Sequence, residues 1–232
     1  MDPYQKYFFD VNGYLVIENA LTSEELTTLN AAIDENVDCI RIRPAEQSLA
    51  GGSPALTARH GRGDLSGMLM WPQPWCQPFR DLLLHESTTP TLLELLRDAF
   101  RIDHVYGIVT DQGAEGHVLH GGGTTDDLTH FYEFHHGKMR CGLTVVGWNL
   151  TDVNPGDGGF ACIPGSHKAH YPTPPDVARL ESRHRHGQAT QRARWLRDYL
   201  HRSSHPWNAT VEGRAAKAID SLQVFSRTDG VL

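Results

Sequence analysis

Apolar residues recur at helical spacing in two stretches of the chain. Leu26, Leu29, Ile33 and Val37 follow one another at three- and four-residue intervals. Ahead of them Thr22 and Glu25 form a capping box, and Leu21 and Leu26 stand at the two ends of a hydrophobic staple. This predicts a helix. Leu92, Leu93, Leu95, Leu96 and Phe100, behind Thr89-Pro90, predict a second one with proline in its first turn. Short apolar or β-branched runs bounded by turn residues predict strands at Tyr14 to Ile17, Val105 to Thr110, Leu143 to Leu150, Phe160 to Pro164 and Leu222 to Phe225. From Ala45 to Gly67, Gly, Pro, Ser and Ala dominate without a period, which predicts a long irregular loop of the kind used as a lid or binding loop. Asp176 to Arg202 carries seven arginines among helix formers and reads as a solvated helical face. Helices in the first half and short strands in the second predict an α+β fold with a β-sandwich core.

Composition narrows the function classes. Lys plus Arg number 21 against 28 Asp plus Glu, a formal charge of −7, and no basic tract offers a nucleic acid its counter-charge. No run approaches the 18 or so apolar residues of a membrane span, and Met1 to Asp10 lacks the basic and apolar regions of a signal peptide. Cys39, Cys76, Cys141 and Cys162 are too scattered for a CxxC pair and too few for a disulfide scaffold, so a cytoplasmic, reducing location is expected.

Histidine is the anomaly, with 14 in 232 residues. His104, His117, His120, His130, His135 and His136 crowd one stretch that is also rich in glycine and acids. A single histidine is usually structural, but such a cluster points to a metal ligand or catalytic group. Without an HExxH motif or a Cys pair, a structural zinc knot or a zincin is disfavoured, and oxygen-plus-imidazole ligation of iron remains.

A second constellation runs from Trp148-Asn-Leu-Thr-Asp152 through Gly158-Gly-Phe160 to Ile163-Pro-Gly-Ser-His-Lys168. By local physics alone these are turns around a short strand. Together they resemble the signature of the phytanoyl-CoA dioxygenase family, and Phe9 to Ile17 with the capped helix after it is similar to that family's opening. The resemblance implies a double-stranded β-helix of jelly-roll (cupin-like) type with N-terminal helices, holding iron(II) and 2-oxoglutarate through two histidines and a carboxylate. It places the proximal metal ligand at His120. Gly122 stands where the family shows Asp, so a water, an anion, Asp126 or Asp127 would complete the site. Trp148 and, on the same strand face, Thr144 would line the cosubstrate pocket. The family's Ala-Gly-Asp strand is matched by Lys217 to Phe225; the distal His and the Arg for 2-oxoglutarate do not follow before Leu232, so one domain over residues 1–232, C-terminally incomplete, is expected.

The expected function is therefore hydroxylation of a small organic or acyl substrate with O₂, the cosubstrate leaving as succinate and CO₂. A His-x-Gly halogenase is a variant of that reading. A non-catalytic binding protein on the same fold and a zinc or nickel hydrolase built on the same histidines are the alternatives from other classes. A small-molecule substrate is expected, with neither nucleic acid nor membrane as partner.

Overall fold

The computed structural model describes residues 1–97, 100–120, 131–153, 159–181 and the backbone of 221–226. The chain opens with helix α1, Pro3–Asn12. Asp2 accepts from the Gln5 amide at 2.8 Å while the Gln5 side chain accepts from the Asp2 amide at 2.9 Å. Pro3 occupies the first turn, and Gly13, at φ +83°, closes the other end by donating to the Phe9 carbonyl. Strand β1 is Tyr14–Glu18. Helix α2, Ser23–Glu35, starts at the predicted Thr22–Glu25 box and ends before Val37, which falls in a 3-10 turn over Val37–Cys39.

Strands β2, Ile40–Ile42, and β3, Gly63–Ser66, come next, followed by α3, Gln77–Asp81, α4, Thr89–Leu96, and β4, Tyr106–Val109. A hairpin of β5, Tyr132–His135, and β6, Lys138–Cys141, precedes β7, Thr144–Trp148, and the short helix α5, Pro175–Ala178. Strand β8 is Ser221–Ser226.

Among the described residues the strands form three antiparallel sheets, with strand orders β1-β8-β7, β2-β3-β4 and β5-β6. Together with the helices they give the expected α+β class. In the first sheet β8 lies between the N-terminal strand and β7, with Leu15 opposite Val224 and Val146 opposite Val224 on its other side. Phe9, Leu15, Leu92, Leu95, Met139 and Cys141 form one core, joined by Ile17, Val146 and Trp148. Leu29, Ala32, Leu65, Met68, Trp71, Cys76 and Phe79 form a second, which packs α2 and α3 on the β2-β3-β4 sheet.

Two expectations are corrected and one element is added. The stretch 45–67 is not irregular throughout: Gly63–Ser66 is the central strand of its sheet. Gly-Asp-Leu-Ser has no β-prone run of its own, and its pairing comes from β2 and β4. Phe160 to Pro164 is no strand; Gly165 turns at φ +81° into a 3-10 turn at Ser166–Lys168, and the Ser166 hydroxyl donates to the Ile163 carbonyl. The hairpin at 132–141 adds two strands that the apolar runs do not predict: Tyr132–His135 and Lys138–Cys141 alternate polar and apolar residues over only four positions each, and Phe134 and Lys138 are exposed. Of the arginine-rich stretch, residues 182–202 lie outside the described residues.

Candidate metal and ligand site

The β2-β3-β4 sheet has two unlike faces, as strand alternation requires. Ile40, Leu65 and Gly107 lie on the face that packs on the second core. Arg62 and Asp64 lie on the other, and the ladder continues past β2, the Arg43 amide donating to the Arg62 carbonyl at 2.9 Å. Arg43 therefore stands opposite Arg62. Asp64 bridges the two: Arg43 Nη2 is 2.5 Å from Oδ2, and Arg62 Nε donates to Oδ1 at 3.1 Å. The Arg62 side chain is only 9% exposed, and Arg43 Nε is buried without a hydrogen-bond partner.

Residues 111–119 run along the loop of residues 49–60 and are held to it by the backbone. The Glu115 amide donates to the His60 carbonyl, Gly116 to Leu56 and Val118 to Leu49, at 2.8–3.0 Å, and Leu119 donates to Ala178. The buried Glu115 carboxylate accepts from the Ser48 hydroxyl at 2.5 Å and the Leu49 amide at 3.0 Å. The glycine-rich loop is thus a frame for this segment, with Ser53 fully buried and donating to the Arg179 carbonyl.

At the end of the frame His117 and His120 stack, ring centroids 3.9 Å apart. His120 Nδ1 lies 2.9 Å from the Val118 carbonyl, which can only accept, so Nδ1 carries a proton; in the neutral ring the lone pair is then on Nε2. His117 is pushed down to about 4 by burial first and then by the charges of His120, Arg62 and Arg43, so it is neutral near pH 7. Its Nδ1 is buried and has no hydrogen-bond partner. These two imidazoles fit a divalent cation: one carries its proton away on a backbone carbonyl, as metal-bound histidines do, and the other is an uncharged orphan beside it. Among the described residues no three His, Cys, Asp or Glu side chains gather into a complete metal cage. Gly122, Asp126, Asp127 and His130 lie outside the described residues.

The remaining histidines of the cluster disperse. His104 stacks on Tyr106 at 5.2 Å and pairs with Asp103 at 2.5 Å. His135 is exposed, 3.6 Å from Glu133, and His136 occupies the hairpin turn at φ +52°. His167 of the Gly-Ser-His motif is a structural residue: its Nε2 donates to the Asp10 carbonyl at 3.0 Å and its ring packs between Phe9 and Tyr132. Burial pushes it down to about 4. Trp148 joins the first core with its ring edge against His85 at 5.1 Å, and His85 in turn bonds Glu25 at 3.0 Å. The Thr144 hydroxyl lies on the same strand and donates to the Gly142 carbonyl at 3.3 Å.

Arg43, Asp64 and Arg62 were not singled out from sequence. Their signal is present in Arg41-Ile-Arg43 and Arg62-Gly-Asp64, two charged alternations that become one polar face when the strands pair.

Comparison with solved structures shows the same fold at low identity. HygX from Streptomyces hygroscopicus, with nickel, 2-oxoglutarate and hygromycin B bound, matches with a TM-score of 0.63 and 19% identity over 99% of this chain and 79% of that one. HygX with iron bound matches at 0.57 and 21% over 99% and 78%. SnoK, a non-heme alpha-ketoglutarate-dependent carbocyclase from nogalamycin biosynthesis, matches at 0.55 and 18% over 99% and 76%. No curated protein matches the chain. Residues 9–194 match the profile of the phytanoyl-CoA dioxygenase family (PhyH), whose cofactors are iron(II) and 2-oxoglutarate. That match spans most of the sequence, from the buried Phe9 of α1 through the Gly-Ser-His turn and beyond, and the chain belongs to the phytanoyl-CoA dioxygenase family.

Proposed function

We propose that the chain is an iron(II)/2-oxoglutarate-dependent dioxygenase that hydroxylates a small organic or acyl substrate, on a jelly-roll core of the double-stranded β-helix type. Family membership supports the class of chemistry. The observation that carries it to a residue is the His120 ring, whose Nδ1 proton is fixed on the Val118 carbonyl so that Nε2 holds the lone pair a metal takes. His117 stacks on it without a competing positive charge near neutral pH.

In this reading His120 holds the metal, with Asp126 or Asp127 supplying the oxygen ligand that Gly122 does not. Thr144 and Trp148 line the 2-oxoglutarate site. Iron(II) with 2-oxoglutarate, when bound, supplies oxidation of an unactivated carbon by O₂, with succinate and CO₂ as the other products. The chain's own residues hold, orient and enclose. The backbone frame at residues 49–60 fixes the His117–His120 segment, and the Glu115 carboxylate locks that frame from within. Pre-formed donors of this kind spare the ordering cost that a loose segment would incur on binding. A small-molecule substrate agrees with hygromycin B bound to HygX. Cys39, Cys76, Cys141 and Cys162 form no disulfide, in keeping with a reducing cytoplasm.

Iron(II) titration of purified His120→Ala and His135→Ala under anaerobic conditions tests the assignment. Changing even a partner of a metal ligand costs 10–100-fold in affinity, so losing His120 should cost at least tenfold. His135, exposed on a hairpin, should leave affinity unchanged. Equal behaviour of the two variants would overturn the assignment.

A further inference from the structure

The face formed by Arg43, Asp64 and Arg62 carries more positive charge than its own residues neutralise. Two guanidiniums share one carboxylate, and each of its oxygens is taken by a different arginine. Arg41, opposite Asp64 in the register, adds a further positive charge to the same face. Like charges directly across an antiparallel pair are destabilising, and Arg43 opposite Arg62 is such a pair. A guanidinium offers five N–H donors, so the single carboxylate leaves most of the donor capacity of the pair unspent. Arg43 Nε is one such donor, buried and without a partner, and the Arg62 side chain is nine-tenths buried. Two under-neutralised planar cations, one nine-tenths buried and the other partly exposed with a buried, unpartnered Nε, are the arrangement that recognises a planar anion through two parallel hydrogen bonds.

The surroundings place this face beside the histidine segment. His60 bridges to Ala114, and the Glu115 amide donates to His60, two residues from Arg62 on one side and from His117 on the other.

We propose that Arg43 and Arg62, held apart by Asp64, form a carboxylate-recognition subsite that takes the acid group of a small-molecule ligand lying against the His117–His120 segment. The subsite rests on the proposed function for what the bound acid is used for, and not for the binding itself. Two sources share this chemistry: the distal carboxylate of 2-oxoglutarate and an acid group on the substrate to be oxidised. Asp64 sets the spacing of the two forks and limits their strength by competing for them.

The test uses the full chain stripped of metal with a chelator and titrated with glutarate, which lacks the keto group needed for chelation. Glutarate should bind the unaltered chain, and Arg62→Gln and Arg43→Gln should each weaken it at least tenfold. Asp64→Asn keeps the shape but removes the competitor, so it should bind glutarate more tightly and gain more in melting temperature from glutarate than the unaltered chain does. Affinities within twofold of one another across all four proteins would overturn the subsite, as would weaker binding by folded Asp64→Asn. His120→Ala should leave glutarate affinity unchanged while losing iron, which separates failure of the subsite from failure of the metal assignment. Competition then identifies the source. If saturating 2-oxoglutarate displaces hexanoate from the arginines, the subsite serves the cosubstrate; if hexanoate still binds and is lost in Arg62→Gln, it serves the substrate. If hexanoate binds equally well to Arg62→Gln, the arginines do not recognise carboxylates and the proposal falls.

Discussion

His167 packs directly on Gly13: a Cβ built at position 13 would stand 2.4 Å from Nδ1 of the imidazole. The contact joins the end of α1 to the Gly-Ser-His turn, which the Gly165 amide reinforces by donating to the Asn12 carbonyl at 2.9 Å. Two motifs far apart in sequence are therefore one structural unit, and both requirements at position 13 select glycine, since its φ is +83°.

Gly13→Ala should destabilise the chain by about 2–4 kcal/mol, combining left-handed strain with overpacking against a buried ring. In a His167→Ala background the same substitution should cost only the strain, on the order of 1 kcal/mol. Urea unfolding of the four proteins in the cycle measures this coupling, and additive losses would show that ring and glycine do not meet.

Glu25 predicts an acid-sensitive start to α2. Its carboxylate accepts from the Thr22 amide at 2.7 Å and the Thr22 hydroxyl at 2.8 Å, and it pairs with His85; these hold it down to about 2. A carboxyl lowered by folding contributes stability that is present above its unfolded value, near 4.5, and is lost as the pH falls toward 2. The side chain is 41% exposed, so solvent screening reduces the contribution to about 1 kcal/mol, the usual worth of a helix cap. Glu25→Gln should be less stable by that amount at pH 7 and should lose less than the unaltered chain between pH 5 and pH 2. Parallel pH profiles from chemical denaturation would contradict this.

The hairpin turn is His136-Gly137, with φ of +52° and +75°. Positive φ at both central residues is the type I′ geometry, for which Asn-Gly is the favoured pair. His136→Asn should stabilise the chain by about 0.4–1 kcal/mol, a rise of roughly 1–4 °C in melting temperature, and leave iron affinity unchanged. A loss of iron with the substitution would return His136 to the metal site.

Helices α2 and α4 were legible because their information is local; α1 and α3, with no long apolar period of their own, were not. Thr22, Glu25 and the leucines of α2 act within two turns of one another, so capping and periodicity carry the prediction to within a residue or two. Strands β4, β7 and β8 were legible from their own apolar runs. The family, too, was readable from the Trp148 and Gly-Ser-His motifs, and the match over residues 9–194 agrees.

Partnership was not legible. Nothing in Gly63-Asp-Leu-Ser66 marks a central strand, because its stability comes from the ladders on either side. The histidine cluster looked like one feature in sequence, and the fold separates it: His135 and His136 go to a hairpin turn and His104 to an exposed stack, while His117 and His120 are brought face to face. Arg43 and Arg62 lie 19 positions apart in the chain, and only antiparallel register sets them opposite each other across Asp64. The sequence by itself determined helices α2 and α4 and the apolar strands β1, β4, β7 and β8, since these follow from neighbours along the chain. Tertiary structure decided which imidazole donates its Nδ1–H to a carbonyl and which charges share a carboxylate, because hydrogen bonds and Coulomb forces act through space between residues that periodicity cannot connect.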